Sequence, residues 1–149
     1  MGSYRSWFLF LLTAGCGGGQ MTASLAGSSP SPTPDVFACA RKELKATGFE
    51  QTSIDVNENR LTARSYNEKV TRPDVSFRRL VDRLEIDVSP GAGGDSVTVI
   101  AINARTFAET ATQRGPTETQ ERTSETARQA AQTILDKCRN PVDSLSVPG

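Results

Sequence analysis

Residues 84–106 read LEIDVSPGAGGDSVTVIAINART. Leu84, Ile86 and Val88 alternate with Glu85 and Asp87, the period-two pattern of a strand with one buried face. Residues 89–95 read as a long polar, glycine-rich turn. Residues 96–106 then form the most apolar strand of the chain, with Val97, Val99 and Ala101 on one side and Ile100, Ile102 and Ala104 on the other. One face belongs in a core; the second is either shielded by a loop or presents an apolar strip to a partner. The glycines at 91, 93 and 94 do not make a phosphate loop, because no Gly-Lys-Ser/Thr follows and a hairpin surrounds them.

The same period appears upstream. Thr52, Ile54 and Val56 alternate with Ser53 and Asp55, Asn57-Glu58-Asn59 supplies a turn, and Leu61 and Ala63 alternate with Thr62 and Arg64. This is a second hairpin, at 51–57 and 60–66. Between the hairpins, Phe77, Leu80, Val81 and Leu84 fit helical spacing, and Leu80, Leu84, Ile86 and Val88 fit an early strand start. The expectation for 74–83 is a loop or short helical turn. Segment 109–123 is polar and threonine-rich and reads as a mobile connection, with Thr117 and Gln120 also placed as a capping pair.

Helices bracket the sheet. Thr33-Pro34 is a start signal, Val36, Phe37, Ala40, Leu44 and Thr47 share a side at 3.6 residues per turn, and Gly48 is a stop. From about Ser124 to Arg139, Ala127, Ala131, Ile134 and Cys138 form a narrow stripe, Lys137 and Arg139 suit the helix C-terminus, and Asn140-Pro141 ends it. The expected fold is therefore α+β: a four-stranded antiparallel sheet of two hairpins, both helices on one face, in the order α-β-β-β-β-α.

Composition narrows the chemistry. The 149 residues contain 17 basic and 17 acidic side chains and no histidine. A zero net charge does not suit a nucleic-acid binder. Without histidine there is no Ser-His-Asp or Cys-His catalysis and no His-ligated metal. No cofactor motif is present. Glu85 and Asp87 share one side of a strand, but paired carboxylates hydrolyse glycosides only in a cleft with unequal environments. Arg72, Arg78, Arg79 and Arg83 cluster within twelve residues and are the candidate partner surface, for phosphate or carboxylate groups. Asp74, Asp82, Glu85 and Asp87 lie among them and favour a solvated mixed-charge surface.

The N-terminus is an address. Arg5 is the only charged side chain before Asp35, and Trp7 to Leu12 is a compact apolar run, too short to span a bilayer. The exit, Leu12-Thr13-Ala14-Gly15-Cys16, resembles the lipobox of bacterial lipoproteins, with Thr13 where that family usually has leucine. The resemblance covers residues 1–16 only. It implies a signal peptide at 1–15 and a lipid on Cys16, which would become the mature N-terminus and hold the protein to a membrane. Gly17, in place of the aspartate of inner-membrane retention, favours the outer membrane, facing the periplasm; inner-membrane anchoring and secretion are the alternatives. An ordinary signal cleaved after Ser24-Leu25-Ala26 is the competing reading of the leader. Residues 16–32, rich in Gly, Ser and Pro, read as a flexible tether, 33–140 as the domain, and 141–149 as a disordered tail.

Cys39 and Cys138 remain. A pair of cysteines in an exported protein is normally a disulfide, and this one would join the two helices. The domain has 22 Val, Ile, Leu and Phe in 108 residues, a light core that gains from a staple. The whole resembles, at fold level only, the helix-grip modules of envelope lipoproteins, one of them from the outer-membrane protein assembly machinery. The expectation is a noncatalytic envelope lipoprotein with an interaction or structural domain. Its partners are a membrane, through Cys16, and an envelope protein, with no nucleic acid, cofactor or metal. A periplasmic small-ligand-binding domain is the alternative, and a hydrolase the third.

Overall fold

A computed structural model of the chain describes residues 21–140. The expected signal peptide at 1–15, the expected lipidation of Cys16 and the expected tail at 141–149 fall outside the described residues. The elements run β1 (Thr22–Ser29), α1 (Thr33–Ala46), β2 (Glu50–Asp55), β3 (Arg60–Asn67), β4 (Phe77–Gly91), β5 (Gly94–Thr112), β6 (Gly115–Glu121) and α2 (Glu125–Arg139). All pairings are antiparallel, in the order β1-β5-β4-β3-β2, with β6 also on β5.

The described residues form an α+β fold, as expected, but among them the sheet has six strands, and a strand, not a helix, comes first. Both additions serve one edge of β5. Residues 98–105 of β5 pair with β1, and residues 106–112 pair with β6. A 19-residue strand leaves a long row of unpaired backbone groups, and two shorter strands laid end to end close it. The junction is stitched by side chains. Gln120 Nε2 donates to the Met21 carbonyl at 2.9 Å, and Thr123 Oγ1 lies 3.2 Å from the carbonyls of Met21 and Ala104.

Thr22–Ser29 was expected in the tether and is instead a core strand. Its small residues are the reason it fits: Ala23 is buried, and a Cβ on Gly27 would meet Leu135 Cδ1 of α2 at 3.0 Å. Residues 109–123, expected as a connection, hold the end of β5, a tight turn at 113–114 and β6. Threonine is β-branched and suits a strand, and Thr110 and Thr117 meet across the pair at 3.0 Å. Residues 77–83 are strand too. A bulge at Arg78 moves the register between Phe77 and Arg79, so Phe77 and Leu80 share a face at a three-residue spacing that imitates a helix. The turn after β4 is shorter than expected: Gly91 pairs with Gly94, whose φ of +79° favours glycine.

Both helices lie on one face of the sheet. Val36, Ala40 and Leu44 of α1 and Ala127, Ala131 and Ile134 of α2 pack with Leu61, Leu84, Ile86, Ile100 and Ile102 in one buried cluster. The Cys39–Cys138 disulfide joins α1 to α2 with Cα atoms 5.7 Å apart. Lys137 reaches Glu43 across the same interface at 2.8 Å. Thr33 lies inside α1 rather than capping it; Pro32 holds the cap position, and Thr33 Oγ1 is 3.2 Å from Thr98 Oγ1 of β5. Ser124 caps α2 as expected, accepting from the Ala127 N–H at 3.0 Å.

Candidate functional site: the open face of the sheet

The face away from the helices is set by the same register. It carries Val97, Val99, Ala101, Asn103, Arg105 and Phe107 of β5, so the apolar strip read on this strand belongs to the open face. Across from them stand Val81, Arg83, Glu85 and Asp87 of β4, then Arg60, Thr62, Arg64 and Tyr66 of β3. Val97 is 37% exposed, Val99 and Ala101 are half-buried, and Val81 is buried.

A concavity of about 360 Å³ opens on this face. Its chemistry is mixed but mostly cationic: Arg64, Arg83 and Arg105 line it with a single carboxylate, Glu85, together with Asn103 and Phe107. Asn103 is held by Ser24 Oγ of β1, which donates to its Oδ1 at 2.7 Å. Thr62 meets Ser53 and Thr52 of β2 at 2.6 and 2.9 Å. Glu85 and Asp87 do share this face, and Asp87 is taken up by Arg60 at 2.5 Å.

The four arginines grouped by sequence proximity disperse. Arg72 sits on the segment before β4, over the Phe77 ring at 4.6 Å, and forms a two-pronged pair with Glu121 at 2.5 Å. Arg79 is clamped by Glu109 and Glu68 and lies 3.9 Å from the centre of the Tyr66 ring. Arg78 is exposed at the bulge. Arg83 alone lines the concavity; it pairs with Glu118 and lies over Phe107 at 4.6 Å. Sequence proximity missed Arg64 and Arg105, which only strand register brings beside Arg83.

The chain matches no family model and no curated protein.

Electrostatics ties the segment before β4 to the sheet. The Arg72 hydrogen bonds hold the Glu121 carboxyl below its ordinary value of 4.5, against an opposing effect of burial. The Ser76 hydroxyl, then the Ser76 N–H, hold Asp74 below 3.8. A carboxylate whose folded value is depressed contributes stability above its unfolded value, lost as pH falls through the folded one. Stability from these groups is thus constant from pH 7 to about 5 and declines below about 4.5. Urea unfolding at pH 7 and pH 3 should show this fall, and Glu121→Gln should make it shallower. An equally steep acid decline in that variant would remove the Arg72–Glu121 pair from the account.

Proposed function

We propose that the chain is a membrane-anchored lipoprotein of the bacterial cell envelope, at the outer membrane facing the periplasm, whose domain is a noncatalytic binding module working through the open face of its sheet. The observation that carries this reading is the sidedness of the sheet. One face is consumed by two helices and a disulfide, and the other offers a polar concavity with an apolar strip beside it. The disulfide fits an oxidising compartment.

The fold also bears on the competing leader reading. Cleavage after Ala26 would remove Thr22–Ala26 from β1, and with it the buried Ala23 and the partners of β5 residues 101–105. A lipidated Cys16 leaves β1 whole. Mass spectrometry of the mature N-terminus should therefore find a lipidated Cys16; a chain beginning at Gly27 would refute the anchor.

An envelope protein is the first partner reading. A small ligand is the second, and the 360 Å³ concavity favours it, since small-molecule sites run roughly 300–1,000 Å³. A photo-crosslinker placed at Ala101 on the open face should give specific products in intact envelopes, and one at the exposed Arg128 of α2 should not. Equal labelling from both positions would count against the open face.

A further inference from the structure

Arg64 opposes Arg83, and Arg83 opposes Arg105, on three neighbouring strands. Directly opposed residues hold their Cβ atoms roughly 4.5–5.5 Å apart, so the row spans about 10 Å. Like charges so placed destabilise a sheet. Arg83 shares its charge with Glu118. Arg64 and Arg105 have no ion pair among the described residues; Arg64 has only the Tyr66 ring, 5.1 Å away. The sheet thus carries a row of three arginines of which only the middle one, Arg83, is paired with a carboxylate among the described residues.

The adjacent row is of another kind. Thr62 opposes Glu85, and Glu85 opposes Asn103. This is a hydroxyl, a carboxylate and an amide, and Glu85 too has no ion pair among the described residues. Both rows face the same concavity.

We propose that this concavity binds a phosphorylated polyol of the sugar-phosphate kind, its phosphate on the Arg64–Arg83–Arg105 row and its hydroxyls on the Thr62–Glu85–Asn103 row. This rests on the reading of the open face as a binding surface and names its ligand class. Guanidinium groups donate paired, charge-assisted hydrogen bonds to phosphate, whose two negative charges answer the two arginines the fold leaves uncompensated. Glu85 is an acceptor that repels a bare anion and receives hydroxyl donors, so the neighbouring row selects against a uniform polyanion. Phe107 stands in the next row, opposite Val81, with the Arg83 guanidinium over its ring at 4.6 Å.

Isothermal titration of the purified mature protein at low salt tests this with glucose 1-phosphate, inorganic phosphate and glucose. Glucose 1-phosphate should bind at least fivefold more tightly than phosphate, and glucose alone should give no measurable heat. Arg64→Gln/Arg105→Gln should weaken glucose 1-phosphate at least tenfold. Glu85→Gln should narrow the preference over phosphate. Relief of repulsion means that the double arginine variant melts no lower than wild type at low salt, so its loss of binding is not unfolding. Absence of binding, equal affinity for phosphate and glucose 1-phosphate, or unchanged affinity in Arg64→Gln/Arg105→Gln would each overturn the proposal. If glucose 1-phosphate fails while crosslinking from Ala101 succeeds, the ligand class falls and the open-face reading stands. If both fail, both fall.

Discussion

The double variant Cys39→Ser/Cys138→Ser should unfold with about 2–4 kcal/mol less stability than the oxidised protein. The two cysteines are 99 residues apart, so the bond closes nearly the whole domain into one loop. In the chain-entropy description a loop of about 100 residues gives up to roughly 4.7 kcal/mol, and measured values commonly fall short of it. The bond also sits in the core: Cys138 is fully buried and Cys39 packs against the same cluster. For a domain of this size the loss is on the order of 10 °C in Tm. Helix packing through Ala40, Leu44, Ala131 and Ile134 does not depend on the sulfurs, so far-ultraviolet circular dichroism should keep its shape below the transition. Chemical denaturation of oxidised protein and variant is the measurement. A difference under about 0.5 kcal/mol would show that the bond restrains little in the unfolded chain.

Asp82→Ala should be the most damaging single polar substitution, at about 2–3 kcal/mol, the scale of hydrogen bonds to a buried charged group. Asp82 is 2% exposed on the helix-covered face of β4, directly opposite Thr106. Its carboxylate accepts from the Thr106 hydroxyl and, at 2.8 Å, from the Ser124 hydroxyl. Thr106 Oγ1 in turn accepts from the Ser124 N–H at 2.8 Å, and Ser124 Oγ caps α2. One carboxylate therefore orients the residue that starts the last helix, beside the positive end of its dipole. Ser124→Ala should cost about 1 kcal/mol by loss of the cap. The two effects should add to less than their sum in the double variant, because they share one network. Full additivity in urea denaturation would separate Asp82 from the cap.

The legible parts of the fold were those with apolar alternation. Leu84, Ile86 and Val88, and Leu61 with Ala63, alternate against polar neighbours, and the pairs β2–β3 and β4–β5 follow from them. Strands β1 and β6 carry no such signal. Thr22–Ser29 is built of Ala, Gly, Ser, Thr and one Leu, the composition of a linker, and becomes a strand because β5 needs an edge partner and α2 needs a close approach. Gly115–Glu121 is polar on both faces, and only its β-branched threonines hinted at pairing. The site was hidden for a different reason. Arg64, Arg83 and Arg105 are distant in sequence, and a one-residue slip of any strand would send its arginine to the other face. Register is a property of the whole sheet, so proximity along the chain selected Arg72, Arg78 and Arg79 instead.

The position of β1 sets how far the domain can stand from a bilayer. Strand pairing begins at Thr22, six residues after Cys16. Six residues extend at most about 20 Å, whereas a leader running from Cys16 to residue 32 would have allowed about 55 Å. A lipid on Cys16 would keep the Met21 corner, where β1 and β6 meet, on a short leash. The module would then work at the height of the lipid headgroups, and whatever occupies its open face must come to the membrane to be met.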